Sequence, residues 1–131
     1  MTGGAGFVGS HLVDALVEKG DQVLVLDNLS TGKIKNLNPT AHFIEADVQN
    51  ADQVRHEISA FQPEAIFHLA AQADPKRAFN NPSFDATVNV IGTVNVALAA
   101  VEHNVQKLIF TSTGGAMYGS PDPSNLPVSE R

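Results

Sequence analysis

The stretch Thr2-Gly3-Gly4-Ala5-Gly6-Phe7-Val8-Gly9-Ser10 stands at the front of the chain and decides how the rest is read. Gly3, Gly6 and Gly9 recur at every third position, and an amphipathic helical pattern starts directly behind them. Glycine has no Cβ, so it takes positive φ in a tight turn and lets a bulky anion approach bare backbone. A helix behind such a turn offers unpaired N–H groups and the positive end of its dipole, worth roughly 0.3–1 kcal/mol to an anion. Together these make a phosphate cradle that needs no basic residue. The spacing is G-x-x-G-x-x-G, a variant of the commoner dinucleotide fingerprint, and an isolated match of this kind serves equally well as a purely structural turn.

The following segments favour the cradle. Val8, Leu12, Ala15 and Leu16 share one helical face, and Gly20 follows as a stop. Gln22 to Leu26 is a nearly continuous apolar run, the mark of a strand covered on both faces, and it ends in Asp27. Asp27 lies 18 residues past Gly9, close to the roughly 20-residue offset at which an acidic side chain takes the adenosine ribose hydroxyls. A carboxylate there repels a 2′-phosphate, which favours NAD over NADP, although Lys33 and Lys35 are near enough to soften the preference. The competing reading of Asp27 is a helix or turn cap.

Strand and helix patterns alternate from there on. His42 to Val48 reads as a short strand, Asn50 and Gln53 as a capping box opening a helix, and Pro63 as its end. Ala65 to Leu69 is a further buried strand that delivers Ala70-Ala71-Gln72 at its carboxyl end. Asn81-Pro82 caps a long helix whose Phe84, Val88, Ile91, Val94, Leu98 and Val101 share a face, predicted to be buried. Lys107 to Phe110 is a last strand, opening into Thr111-Ser112-Thr113, and the tail from Ser120 reads as loop. Such alternation predicts an α/β fold, a doubly wound parallel sheet with right-handed crossovers. Ligands of these sheets sit beyond the carboxyl ends of the strands, where Gly3 to Gly9, Asp27, Asp47, Ala70 to Gln72 and Thr111 to Thr113 all fall. Asn89, an amide amid apolar helix positions, needs either a loop carbonyl or a ligand as partner.

Composition narrows the function classes. The chain has 131 residues, 43% of them hydrophobic, and a formal net charge of −6. The length suits one domain, residues 1–131, and not a nucleotide-binding domain with a full second one. Its acidity argues against nonspecific binding to nucleic acid or an anionic membrane. Without cysteine there is no disulfide or thiolate chemistry. The apolar run from Ala86 to Val101 is interrupted by Asn89 and Asn95 and is shorter than the roughly 20 residues a spanning helix needs. No signal-peptide pattern opens the chain, and a cytoplasmic location is expected. The five histidines lack metal-ligand spacing, so no metal is expected.

On these residues the chain resembles the extended short-chain dehydrogenase/reductase family, in its NAD-dependent epimerase/dehydratase branch. The pieces that carry the likeness are Thr2 to Ser10 with His11, Asp27-Asn28-Leu29-Ser30-Thr31-Gly32, Asp47-Val48, His68-Leu69-Ala70-Ala71-Gln72, Asn89-Val90-Ile91-Gly92-Thr93, and Ser112-Thr113-Gly114-Gly115-Ala116 with Tyr118-Gly119. They cover nearly the whole chain in the family's order. The resemblance implies a Rossmann-type sheet and NAD as cofactor. It puts Gly3, Gly6, Phe7, Val8 and Gly9 at the pyrophosphate, and Asp27 and Asn28, with Ser30, Thr31 and Gly32, at the adenosine ribose. Asp47 and Val48 fall at the adenine, and Leu69, Ala70, Ala71, Gln72 and Asn89 along the nicotinamide half.

The same resemblance implies a nucleotide-sugar substrate. Hydride would leave the sugar C4 for NAD and return to the other face, with a Tyr-x-x-x-Lys pair as base and a Ser or Thr hydroxyl on the sugar oxygen. Thr113 matches that hydroxyl best and Ser112 next, unless they merely cap the strand end. A dehydratase or reductase of the family, or a noncatalytic NAD-binding module, would share the same loop and Asp27. Three parts of the pattern are missing. The single tyrosine, Tyr118, has Asp122 four residues on and no lysine. Of the first strand only Met1-Thr2 remains, and a substrate domain is absent, so the fold is expected to be an incomplete, inactive and poorly stable portion of the family's fold. A homodimer is possible by the same likeness.

Overall fold

The computed structural model describes residues 1–113, Gly119 and 122–126. The glycine turn leads into α1 (Phe7–Glu18), and Gly20, at φ +90°, ends it as the sequence predicts. Four short strands follow in chain order: β1 (Leu24–Asp27), β2 (His42–Glu45), β3 (Ala65–His68) and β4 (Lys107–Phe110). Between them lie α2 (Ala51–Phe61), α3 (Pro75–Asn80) and a long helical run made of α4 (Pro82–Ala86), a π turn (Thr87–Ile91) and α5 (Gly92–Glu102).

Two parallel pairs, β1 with β2 and β3 with β4, are joined through one residue. Thr2 bridges Leu26 on one side and His68 on the other, both in parallel. Its N–H donates to Phe67 O at 3.0 Å and its carbonyl accepts from Leu69 N at 3.1 Å, while Gly3 N reaches Leu26 O at 2.9 Å. The spatial order is therefore β2-β1-Thr2-β3-β4. Counting Met1-Thr2 as the first strand, this is the 3-2-1-4-5 order of the doubly wound dinucleotide-binding sheet. Met1 and Thr2 stand in the place of the central strand, and Met1 N donates to Leu24 O at 2.5 Å.

Helices cover both faces. α1 packs Val13 against Val23 and Val25 on one side. On the other, α2 and α5 enclose Val54, Ile58, Ile66, Val96, Ala99 and Ala100. Asn50 caps α2 by accepting from Gln53 N at 3.1 Å, but the Gln53 side chain turns to Glu45 O instead of closing the reciprocal half of a capping box. Asn81 likewise caps the long run through Phe84 N at 3.1 Å.

One sequence expectation is overturned here. The face holding Ile91, Val94, Leu98 and Val101 is exposed, by 49%, 45%, 60% and 78%. The buried face is the one carrying Gly92, Val96, Ala99 and Ala100. The reason is steric: Gly92 lies against Val48, where a Cβ would stand 2.7 Å from Val48 Cγ2, so the small residues dock and the large ones are left outside. The helical run Pro82–Glu102 is, by length and composition alone, long and apolar enough to cross a membrane. Its inner face is instead packed on α2 and β3. The α3 helix, with Asp74 accepting from Lys76 N at 2.9 Å, is an element the sequence reading left out.

Candidate functional site

The glycine turn stands where the chain passes from Thr2 into α1, at the point where the strand order reverses. Gly3 has φ +73°, and a Cβ there would lie 2.6 Å from Ala70 N, so only glycine allows the turn to sit on the end of β3. A Cβ on Gly9 would collide with the Gly3 carbonyl, which forces the start of α1 close to the turn. Gly6 is the N-cap of α1 and supplies no side-chain acceptor, and the first turn holds no acidic residue. The anion-attracting end of α1 is thus left without a carboxylate of its own. Phe7 and Val8, 79% and 61% exposed, flank it.

Asp27 is brought directly to this turn. Its Oδ2 accepts from Ala5 N at 3.0 Å and its Oδ1 from Leu29 N at 2.9 Å. The side chain is buried, and Gly32 passes so close that a Cβ there would stand 2.8 Å from Asp27 Oδ1. The carboxylate fastens two backbone turns, as the capping reading expects, and it stands beside the glycine turn with lone pairs to spare. Ala5, which the sequence reading did not single out, is the pivot. Its carbonyl accepts from Lys33 N and from Asn36 Nδ2, both at 3.0 Å. Leu29 is held at φ +55°, a strained conformation for a branched residue.

Asn28 Nδ2 donates to Asp47 Oδ2 at 2.9 Å. Partial desolvation raises the Asp47 pKa, but hydrogen bonds from Gln49 N, Asn28 and the Gln49 side chain outweigh it and hold the carboxyl below the usual range. Asp47 therefore orders Asn28 and does not itself line a hollow. Asn95, from α5, donates to Val48 O at 2.9 Å and Gln49 O at 3.3 Å, pinning the same corner.

Asn89 takes the loop. Its Oδ1 accepts from Gln72 N at 2.8 Å, and its Nδ2 donates to Gln72 O at 2.9 Å and Asp85 Oδ1 at 3.1 Å. Gln72 Nε2 also reaches Asp85 Oδ1, at 2.9 Å. Asn89 lies in the π turn, the kind of helix irregularity that recurs at functional sites. Asp85, four residues before Asn89, is a site neighbour that the spacing alone could have suggested.

Two hollows meet over the glycine turn and share Gly3, Gly6 and the loop Leu69 to Gln72. The smaller, about 280 Å³, runs to Asp27, Asn28, Ser30, Thr31 and Val48. The larger, about 690 Å³, runs past Phe7, Val8, Gly9 and Asn89 to Phe110, Ser112 and Thr113. A third hollow of about 440 Å³ lies under Met1, Leu24 and Phe67, at the amino ends of the strands. Ligands of parallel sheets bind at the carboxyl ends, so the first two form the candidate crevice. Gly114, Gly115, Ala116 and Tyr118 lie outside the described residues. Among the described residues no group of three acidic, histidine or cysteine side chains could hold a metal.

A parallel sheet of order 3-2-1-4-5, with a glycine turn at its reversal point and a carboxylate ending the next strand, defines a Rossmann-type domain built for a dinucleotide. The comparison with known proteins agrees and narrows the class. The family profile described as the NAD dependent epimerase/dehydratase family matches residues 1–131, and the chain belongs to that family. It is 48% identical over 135 residues to a UDP-glucose 4-epimerase of Mycolicibacterium smegmatis, which covers 99% of this chain and 42% of that protein. A crystal structure of UDP-glucose 4-epimerase from Thermotoga maritima with UDP-glucose superposes with a TM-score of 0.88 at 45% identity, covering 92% of this chain and 39% of the other. The Thermus thermophilus UDP-glucose 4-epimerase complex with NAD gives 0.87 at 42% identity, over 93% and 39%. The chain thus spans about two fifths of the length of the relatives it matches.

Proposed function

We propose that these 131 residues are the NAD-binding portion of a nucleotide-sugar epimerase of the UDP-glucose 4-epimerase type. The observation that carries the reading is the continuous crevice over the glycine turn, with Asp27 at one end and the Ser112 and Thr113 hydroxyls at the other. Gly3, Gly6 and Gly9 leave room for a diphosphate, and the uncapped first turn of α1 provides its N–H groups. Asp27 and Asn28 receive the adenosine ribose, with Ser30, Thr31 and Gly32 shaping that loop, and Val48 borders the adenine while Asp47 holds Asn28 in place. Leu69 to Gln72, fixed by Asn89, line the nicotinamide half.

NAD bound there supplies a hydride acceptor that can give the same hydride back. The chain's own part is to hold it and to exclude water, with the Thr113 hydroxyl, or that of Ser112, taking the sugar oxygen. The Tyr-x-x-x-Lys base is not among these residues, so turnover requires residues outside them, and the isolated stretch binds without catalysing. The exposed Ile91, Val94, Leu98 and Val101 face supports pairing with a second copy. The acidic composition argues against a nucleic-acid or anionic-membrane partner.

Calorimetric titration tests the reading. NAD should bind, NADP should bind at least about tenfold more weakly because Asp27 faces its 2′-phosphate, and the protein carrying this stretch should interconvert a UDP-hexose and its C4 epimer. Equal affinity for the two dinucleotides, or none for either, would overturn it.

A further inference from the structure

His68, the last residue of β3, is 2% exposed and borders the larger hollow of the crevice from within the sheet. It nevertheless stands in the middle of a file of polar groups that crosses the sheet. Thr2 Oγ1 lies 2.7 Å from His68 Nδ1, and His68 Nε2 lies 3.0 Å from Thr93 Oγ1. Beyond them, Thr93 Oγ1 donates to Asn89 O at 2.7 Å, and Ala70 N donates to Thr2 Oγ1 at 3.3 Å.

The two ends settle where the protons are. A carbonyl oxygen only accepts, so the single Thr93 hydroxyl proton is spent on Asn89 O. His68 Nε2 must then carry a hydrogen and donate it to Thr93. At the other end Thr2 Oγ1 accepts from Ala70 N, and its own proton goes to the bare lone pair of His68 Nδ1. Every group in the file is satisfied, in one direction, with a neutral ring. A second proton on the ring would set Nδ1–H against the Thr2 hydroxyl and leave that hydroxyl's proton without its acceptor. Among the described residues no carboxylate is hydrogen-bonded to the ring: Asp85 is taken up by Gln72 and Asn89, Asp74 by Lys76 N, and Phe110 stands tilted over the ring at 5.9 Å.

The file ties together three segments that line the crevice. Thr2 precedes Gly3, whose approach to Ala70 leaves no room for a Cβ. Ala70 belongs to the Leu69 to Gln72 loop, and Asn89 clasps Gln72 from the far wall. We infer that His68, locked as the neutral Nε2–H tautomer, is a positioning residue that sets the glycine turn, the Ala70 loop and the Asn89 turn in one register for the dinucleotide. This rests on the proposed NAD reading of the crevice, but the tautomer does not.

The test combines spectroscopy with rescue in the protein that carries this chain. Nitrogen NMR of the histidine ring should show a pyridine-like Nδ1 and a pyrrole-like Nε2 for His68. His68→Phe keeps the bulk and removes both hydrogen bonds, whereas His68→Gln offers one acceptor and one donor. NAD should bind about tenfold or more weakly to H68F and recover most of its affinity in H68Q, with Thr93→Val weakened like H68F and Thr93→Ser close to the parent. An Nδ1–H tautomer overturns the inference, and so does parental affinity in H68F and T93V. Should H68F fail to fold, the T93V and T93S pair decides by the same criterion. If the parent protein binds no NAD, the functional reading falls, and the positioning role falls with it even where the ring shows the expected tautomer.

Discussion

Ala5 donates its backbone N–H to Asp27 Oδ2 at 3.0 Å, so the carboxylate that ends β1 is fastened to the turn that precedes α1. The same side chain takes Leu29 N at 2.9 Å; the Ala5 contact is buried and the Leu29 contact partly so. The residue we propose for the ribose therefore also holds the glycine turn, and truncation removes both at once.

Asp27→Ala should for this reason lower stability as well as affinity. Hydrogen bonds to a charged group contribute about 1.5–3 kcal/mol each, and the Ala5 N–H would be left buried without its acceptor. The expected loss, read from urea unfolding, is about 2–4 kcal/mol, together with loss of detectable NAD binding. Asp27→Asn keeps one acceptor and should lose about half as much. An unchanged unfolding midpoint in the alanine variant would show that the carboxylate is not structural.

Gly9→Ala and Gly20→Ala separate crowding from backbone strain. A Cβ at Gly9 meets the Gly3 carbonyl, and backbone cannot step aside, so the turn and α1 must move apart. Gly20 has φ +90° but nothing within 4 Å of a Cβ, so its alanine variant has only the conformational cost of about 1–2 kcal/mol. The Gly9 variant should lose NAD affinity by about a hundredfold or more, since an ångström of displacement disrupts several N–H contacts at once. The Gly20 variant should bind normally.

Which parts of this were legible beforehand follows from the range of the interactions. The glycine turn, the strand that ends in Asp27 and the caps at Asn50 and Asn81 are local patterns, and each stands where the spacing puts it. The partner of Asn89 was not legible, because it is the backbone of Gln72, 17 residues away on another element. Nor was the side of α5 that is covered. A helix apolar on two faces gives one periodic signal, and only the fit of Gly92 against Val48 chooses between them. Ala5 carries no chemistry in its side chain, so its role as the pivot that joins Asp27, Lys33 and Asn36 has no sequence signal at all.

Stability should fall on mild acidification in a way that can be traced to one ring. Burial of His68 holds its pKa below the ordinary 6.5. The unfolded chain therefore binds a proton that the folded chain refuses, so stability is complete above pH 6.5 and declines as the pH falls through 6.5 toward the lower folded value. The slope cannot exceed about 1.4 kcal/mol per pH unit for one group. H68Q removes the imidazole and leaves every other titrating group in place, so the difference between the two pH profiles isolates His68. Superimposable profiles would rule out a neutral buried ring.

The uncovered face of α5 gives the last prediction. Ile91, Val94, Leu98 and Val101 expose large apolar side chains along one side of a helix whose other side is fully engaged by α2 and β3. Four such side chains amount to a patch that a monomer in water rarely leaves open. Covering each contributes about 1.5–3 kcal/mol, enough for a measurable association even after the cost of bringing two molecules together. Leu98→Glu with Val101→Glu should therefore shift the protein toward monomer in sedimentation, raising the dissociation constant by about a hundredfold or more, because two carboxylates would have to be buried in apolar contact. Dinucleotide affinity should stay unchanged, since the face points away from Asn89 and Thr93, which engage Gln72 and His68 on the crevice side. A parent protein that sediments as a monomer at tens of micromolar would show that this face is covered by something other than its own copy.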